Sequence, residues 1–166
     1  MLQGHIKAMT RNAKLLRQAP LSEATEHGTF VPPTAVEIER MQQLQGEVFG
    51  PVLHVVRYHR DHLDDVISAI NATGYGLTHG IHTRIDNMVD YVSRRVKVGN
   101  TYVNRNMVGS VVGVQPFGGE GLSGTGPKAG GPHYLLRFAH ERTFTVDTTA
   151  AGGNASLLSM DEDLPQ

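Results

Sequence analysis

Residues 52–103 read VLHVVRYHRDHLDDVISAINATGYGLTHGIHTRIDNMVDYVSRRVKVGNTYV, and the order of apolar runs and caps within them decides the fold class. Val52 to Tyr58 contains Val52-Leu53 and Val55-Val56, a short continuous apolar run typical of a strand buried on both faces. Asp61 stands as an N-cap ahead of a helix carrying Leu63, Val66, Ile67 and Ile70 on one face, and Asn71 to Gly76 ends it. Leu77 to Thr83 then reads as a strand, and Asp86 caps a second helix whose Val89, Val92 and Val96 face inward until Gly99 stops it. Thr101-Tyr102-Val103 is a third strand. Strand, helix, strand, helix, strand with short connections predicts an α/β fold, a mostly parallel sheet with crossover helices.

Toward the N-terminus, Ile6, Met9, Ala13 and Leu16 recur at helical spacing and predict a surface helix with a basic outer face. Met1 to Ser22 holds Lys7, Arg11, Lys14 and Arg17 but no acid, which also resembles a transit peptide; the amphipathic helix is the simpler reading. Thr29-Phe30-Val31 and Thr34 to Ile38 read as extended chain around Pro32-Pro33. Toward the C-terminus, Pro132 to His140 predicts a short helix. Thr143 to Thr148 alternates as a strand with one buried face, and the small, polar Thr149 to Gln166 predicts a tail. The division expected is 1–142 as the folded part and 143–166 as a strand for association, followed by that tail.

The bulk numbers exclude several classes. At 166 residues with 39% hydrophobic content the chain is the size of one ordinary domain or a part of one. A net charge of -1 gives no electrostatic footprint for nucleic acid, and no apolar run is long enough to span a membrane. Zero cysteines exclude disulfides, a thiolate metal site and a cysteine nucleophile.

Two constellations carry chemistry. From Gly113 to Gly131, eight of nineteen residues are glycine, a composition whose ordering costs much backbone entropy and implies close backbone approach, with a ligand as the expected neighbour. Gly119-Glu120-Gly121-Leu122-Ser123-Gly124 matches the dinucleotide fingerprint literally. It lacks the strand-to-helix context, because Pro116 precedes it and Pro127 with further glycines follows. A phosphate-loop reading fails on Pro127 and on Ala129, which stands where a hydroxyl is required. Consecutive amides together with the Ser123 and Thr125 hydroxyls can instead form an anion-binding concavity, with Phe117 as an apolar wall. A tight structural loop is the competing explanation.

The second constellation is Gly46-Glu47-Val48-Phe49-Gly50-Pro51-Val52. In extended chain Glu47 and Phe49 share a face, which suits a sugar and its flat heterocycle; a surface acid beside a core phenylalanine is the plainer alternative. Among nine histidines, His59 and His62 are three apart, as are His79 and His82. Three apart on a strand places a pair on opposite faces, so no metal site is expected.

Together Glu47-Val48-Phe49-Gly50-Pro51, Tyr75-Gly76-Leu77, Gly99, Val103-Asn104, Pro116-Phe117-Gly118-Gly119 and Ser123-Gly124 resemble the aldehyde dehydrogenase superfamily. The longer run from Arg105 through Gly131-Pro132 is similar to its pyrroline-5-carboxylate dehydrogenase branch, in the form found within bifunctional proline-utilization flavoenzymes. The resemblance implies part of an aldehyde dehydrogenase catalytic domain with a C-terminal oligomerisation strand, acting in the cytoplasm. It implies NAD-dependent oxidation of L-glutamate γ-semialdehyde to glutamate. Glu47 would hold the nicotinamide ribose, Phe49 would lie against the nicotinamide, Phe117 would line the aldehyde tunnel, and Ser123 and Gly124 would anchor the substrate α-carboxylate.

The family's chemistry also uses a cysteine nucleophile and a glutamate base, and both, with the Rossmann domain, precede the matched region. This chain would then be a C-terminal fragment of a homo-oligomeric enzyme, inactive alone, with the missing parts supplied by an upstream domain or chain. The alternatives are a non-catalytic module that binds an anion or a partner, and an inactive remnant.

Overall fold

The computed structural model describes residues 1–147. Contacts divide the chain into one unit over Met1–Tyr134 and another from Leu135 onward.

In the first unit, α1 spans Leu2–Asn12 and buries only Ile6, with Arg11 in the last turn, where a cation complements the helix dipole. The expected helical register ends early. Ala13 turns extended, and Lys14–Gln18 forms β1, which places Leu16 in a strand rather than on the helix. Strand β2, Thr34–Ile38, supplies the main-chain partners that favour this. The pair is antiparallel, from Lys14 opposite Glu37 to Gln18 opposite Thr34, and its register slips between Leu15 and Arg17.

β2 buries Thr34, Val36 and Ile38 on one face, as its alternation requires. The two prolines precede the strand, so they remove no donor from its ladder. β3, Val52–Val56, runs parallel to β2 in the order β1-β2-β3. It is not buried on both faces as expected: it lies at a sheet edge, and Leu53 is exposed.

α1 meets β3 through His5 and His54, whose Nε2 atoms lie 2.9 Å apart with the rings edge-on. Burial, and then the charge of His5, hold the His54 pKa below the ordinary histidine value. The folded state therefore disfavours protonated His54. Stability from this contact is complete above the unfolded pKa of about 6.5 and declines as pH falls through that value toward the lower folded one. The thermal midpoint should drop between pH 7 and pH 5, and His54→Gln should flatten that drop. An unchanged slope in the variant would assign the acid sensitivity elsewhere.

The second layer begins with a 3₁₀ turn over Arg60–His62 that feeds α2, Leu63–Ala72. Asp61 sits inside that turn rather than capping α2; His59 caps the turn itself by accepting the Asp61 amide, and α2 has no side-chain cap. After Gly74 come two short strands, β4 at Tyr75–Gly76 and β5 at Thr78–Ile81. α3 covers Asp86–Ser93, so Asp86 is its first residue, and the Thr83 hydroxyl accepts the Ile85 amide just outside it. The helix stops near Arg94, well before Gly99, yet Val96 still reaches the core with Ile67, Ile81 and Val92.

β6, Asn100–Val103, pairs parallel with β5, from Thr78 opposite Asn100 to Ile81 opposite Val103. The strand–helix–strand order and both parallel pairings agree with the α/β expectation. They do not form one continuous sheet, because β2–β3 and β5–β6 belong to separate sheets. A fourth pairing has no signal in the sequence pattern: β4 joins Glu120–Gly121, β7, antiparallel.

A 3₁₀ turn at Tyr134–Phe138 replaces the longer helix expected over Pro132 to His140. In the second unit, residues 143–147 form no strand, and Thr148 with the expected tail lies outside the described residues. Alternation specifies which face a strand would bury; it does not supply the neighbouring edge that makes one.

Candidate functional site

The glycine loop is folded chiefly against itself. A Cβ on Gly124 would fall inside the Gly119 carbonyl, one on Gly119 would come within 2.5 Å of the Ser123 carbonyl oxygen, and one on Gly99 would collide with Gly118. At these three glycines the close approach expected from composition is backbone on backbone. The Ser123 and Gly124 amides are engaged as well, donating to the Glu120 and Gly121 carbonyls at 3.0 and 3.4 Å. Phe117 and Ala129 exchange backbone bonds of 3.0 and 2.9 Å and close the loop at its base.

What this folding achieves is the placement of Ser123. The β4–β7 pair brings the turn against Gly76, whose amide donates to the Ser123 hydroxyl oxygen at 3.1 Å. The oxygen is thus an acceptor here, and the hydroxyl proton remains available to a further partner.

Ser123 lines a cleft of about 370 Å³ together with Glu47, Phe49, Tyr75, His79 and Lys97. Phe49 is 81% exposed, and Glu47 is also exposed. Three of the five expected site residues, from segments some seventy residues apart, thus share one cleft. The other two do not line it. Phe117 is half-buried at the loop base, and Gly124 packs on Gly119.

His79 also borders a second, largely apolar cavity beside α2 and α3, and burial lowers its pKa. The ring is therefore neutral near pH 7. His59 precedes and His62 ends a 3₁₀ turn rather than a strand; His62 Nδ1 lies 2.9 Å from the Asp65 carboxylate, and His59 Nδ1 accepts the Asp61 amide. Among the described residues no group of three or more histidines and acids could hold a metal, and no helix is long and apolar enough to cross a membrane.

Sequence reasoning missed Asn100 and Lys128. Asn100, 5% exposed, donates through Nδ2 to the Leu77 carbonyl at 2.7 Å and the Gly118 carbonyl at 3.1 Å. Lys128 Nζ donates to the Gly99 carbonyl and, at 3.1 Å, to Asn100 Oδ1. A lone lysine inside a glycine- and proline-rich run was the available signal.

Residues 2–144 match the aldehyde dehydrogenase family. The chain is 58% identical over 136 residues to the bifunctional protein PutA of Rhizobium meliloti, covering 82% of this chain and 11% of that protein. It is 40% identical over 116 residues to the human mitochondrial delta-1-pyrroline-5-carboxylate dehydrogenase, covering 67% of this chain and 21% of that one. A crystal structure of Bradyrhizobium japonicum proline utilization A superposes with a TM-score of 0.81 at 57% identity, over 90% of this chain and 15% of that one. A Thermus 1-pyrroline-5-carboxylate dehydrogenase with bound NAD gives 0.70 at 35% identity, over 81% of this chain and 26% of that one. The chain thus matches part of a larger protein in each case.

Proposed function

This chain belongs to the aldehyde dehydrogenase family, and from that premise we propose that it carries part of the catalytic domain of an NAD-dependent enzyme oxidising L-glutamate γ-semialdehyde to glutamate in proline catabolism. The observation that carries this reading is the meeting of Glu47, Phe49 and Ser123 on one cleft. An exposed carboxylate can accept bonds from vicinal ribose hydroxyls, and an exposed ring offers its face to a flat heterocycle. That set fits the dinucleotide, which when bound takes a hydride from the substrate. Ser123 retains a proton to donate to the substrate α-carboxylate. Gly124 holds the turn that presents Ser123, and Phe117 is the wall of the aldehyde tunnel beyond this cleft.

The aldehyde dehydrogenase reaction passes through a thioester on a cysteine thiolate, and the chain has no cysteine. The nucleophile, the general base and most of the NAD site are assigned to polypeptide outside these 166 residues, in a cytoplasmic homo-oligomer. Val108 and Val112, 85% and 95% exposed, offer that polypeptide an apolar surface. The chain by itself is inactive.

Titration of the 166-residue chain with glutamate, followed by amide NMR, tests the anchor. Ser123→Ala removes a hydrogen bond to a charged group, about 1.5–3 kcal/mol, so affinity should fall roughly 10- to 100-fold. Equal binding by the variant would take Ser123 out of the anchor.

A further inference from the structure

The Lys128 ammonium has only donors, so it faces Asn100 with the side-chain oxygen and thereby fixes which way the buried amide points. With its oxygen held there, the Asn100 nitrogen is directed at two carbonyls, Leu77 at the start of β5 and Gly118 in the glycine loop. The same ammonium takes the Gly99 carbonyl. Gly99 in turn packs so closely on Gly118 that no side chain fits between them. One cation therefore joins the outgoing arm of the loop to β6, and through Asn100 it joins the incoming arm to both β5 and β6. The Phe117–Ala129 bridge ties the two arms together. Ser123 stands at the tip of that loop, in the cleft.

We propose that Lys128 is a positioning residue: by clamping Gly99 and Asn100 it holds the glycine loop to the β5–β6 sheet and keeps Ser123 where a substrate carboxylate meets it. The role at the substrate rests on the function proposed above; the clamp itself does not. Without the ammonium, the Asn100 oxygen and the Gly99 carbonyl lose their donor in a part-buried setting, and the amide is free to rotate away from Gly118. Arginine keeps the charge and the donors, whereas methionine keeps the stem alone.

The test compares the full 166-residue chain with Lys128→Met and Lys128→Arg by amide hydrogen exchange and by glutamate titration. In Lys128→Met, exchange at Ala129 and Gly76, whose amides bond Phe117 and Ser123, should rise at least tenfold, while Val96 in the helical core keeps its protection. Glutamate affinity should fall about tenfold with it, and Lys128→Arg should recover most of both. Unchanged exchange at Ala129 and Gly76 in Lys128→Met overturns the clamp. Raised exchange with undiminished glutamate binding overturns the positioning role. If the unmutated chain binds no glutamate while the exchange pattern and its rescue by arginine hold, the clamp stands and the substrate reading fails.

Discussion

Gly124→Ala should abolish glutamate binding while leaving the helical core folded. The new methyl group would occupy the position of the Gly119 carbonyl, and both colliding groups are main chain, so no side-chain rotation relieves the overlap. The turn must open, breaking the bonds from the Ser123 and Gly124 amides to Glu120 and Gly121. Overpacking of this kind costs on the order of 3 kcal/mol. That is enough to free Ser123 from the Gly76 amide. The loss should appear as raised exchange at Gly76 and absent glutamate shifts, with Ile67, Ile81, Val92 and Val96 still packed. A variant that binds as the parent does would mean that the loop is not closed on itself in this way.

The second large effect concerns the cofactor side. In a chimera of the Rhizobium meliloti relative whose matching segment is replaced by this chain, Glu47→Ala should raise KM for NAD about 100-fold. That corresponds to the loss of charge-assisted bonds, each worth about 1.5–3 kcal/mol. KM for pyrroline-5-carboxylate should change little. Ser123→Ala should show the mirror pattern, raising KM for the aldehyde substrate and sparing NAD. The two residues line one cleft, so a split between them distinguishes two half-sites from a single anion pocket. Loss of both KM values together in either variant would point to general loosening instead.

Local pattern located β2, β3, α2, β6 and the start of α3 well, because their apolar periodicity is strong and their ends carry turn residues, but it carried α3 too far toward Gly99. It placed α1 too long, since Leu16 sits at helical spacing and yet joins a strand whose partner, β2, lies some twenty residues away. Leu53 shows the same limit: an apolar run does not say how many neighbours its strand has. Residue type and resemblance single out Glu47, Phe49 and Ser123, which line one cleft. The reason they meet is not legible in the sequence, because the β4–β7 pair is only two residues long on each side and contains two glycines. Asn100 and Lys128 were missed for a related reason. Their role is set by carbonyls distant in the chain, Leu77, Gly99 and Gly118, and no spacing rule points to those.

The measurement closest to the central claim is NADH formation from pyrroline-5-carboxylate, assayed for this chain alone and for the chimera in which it replaces the matching segment of the Rhizobium meliloti relative. The account predicts no turnover by the chain, which lacks a cysteine, and turnover by the chimera that responds to Glu47 and Ser123 as above. Turnover by the chain alone, or a folded chimera that forms no NADH, would contradict it.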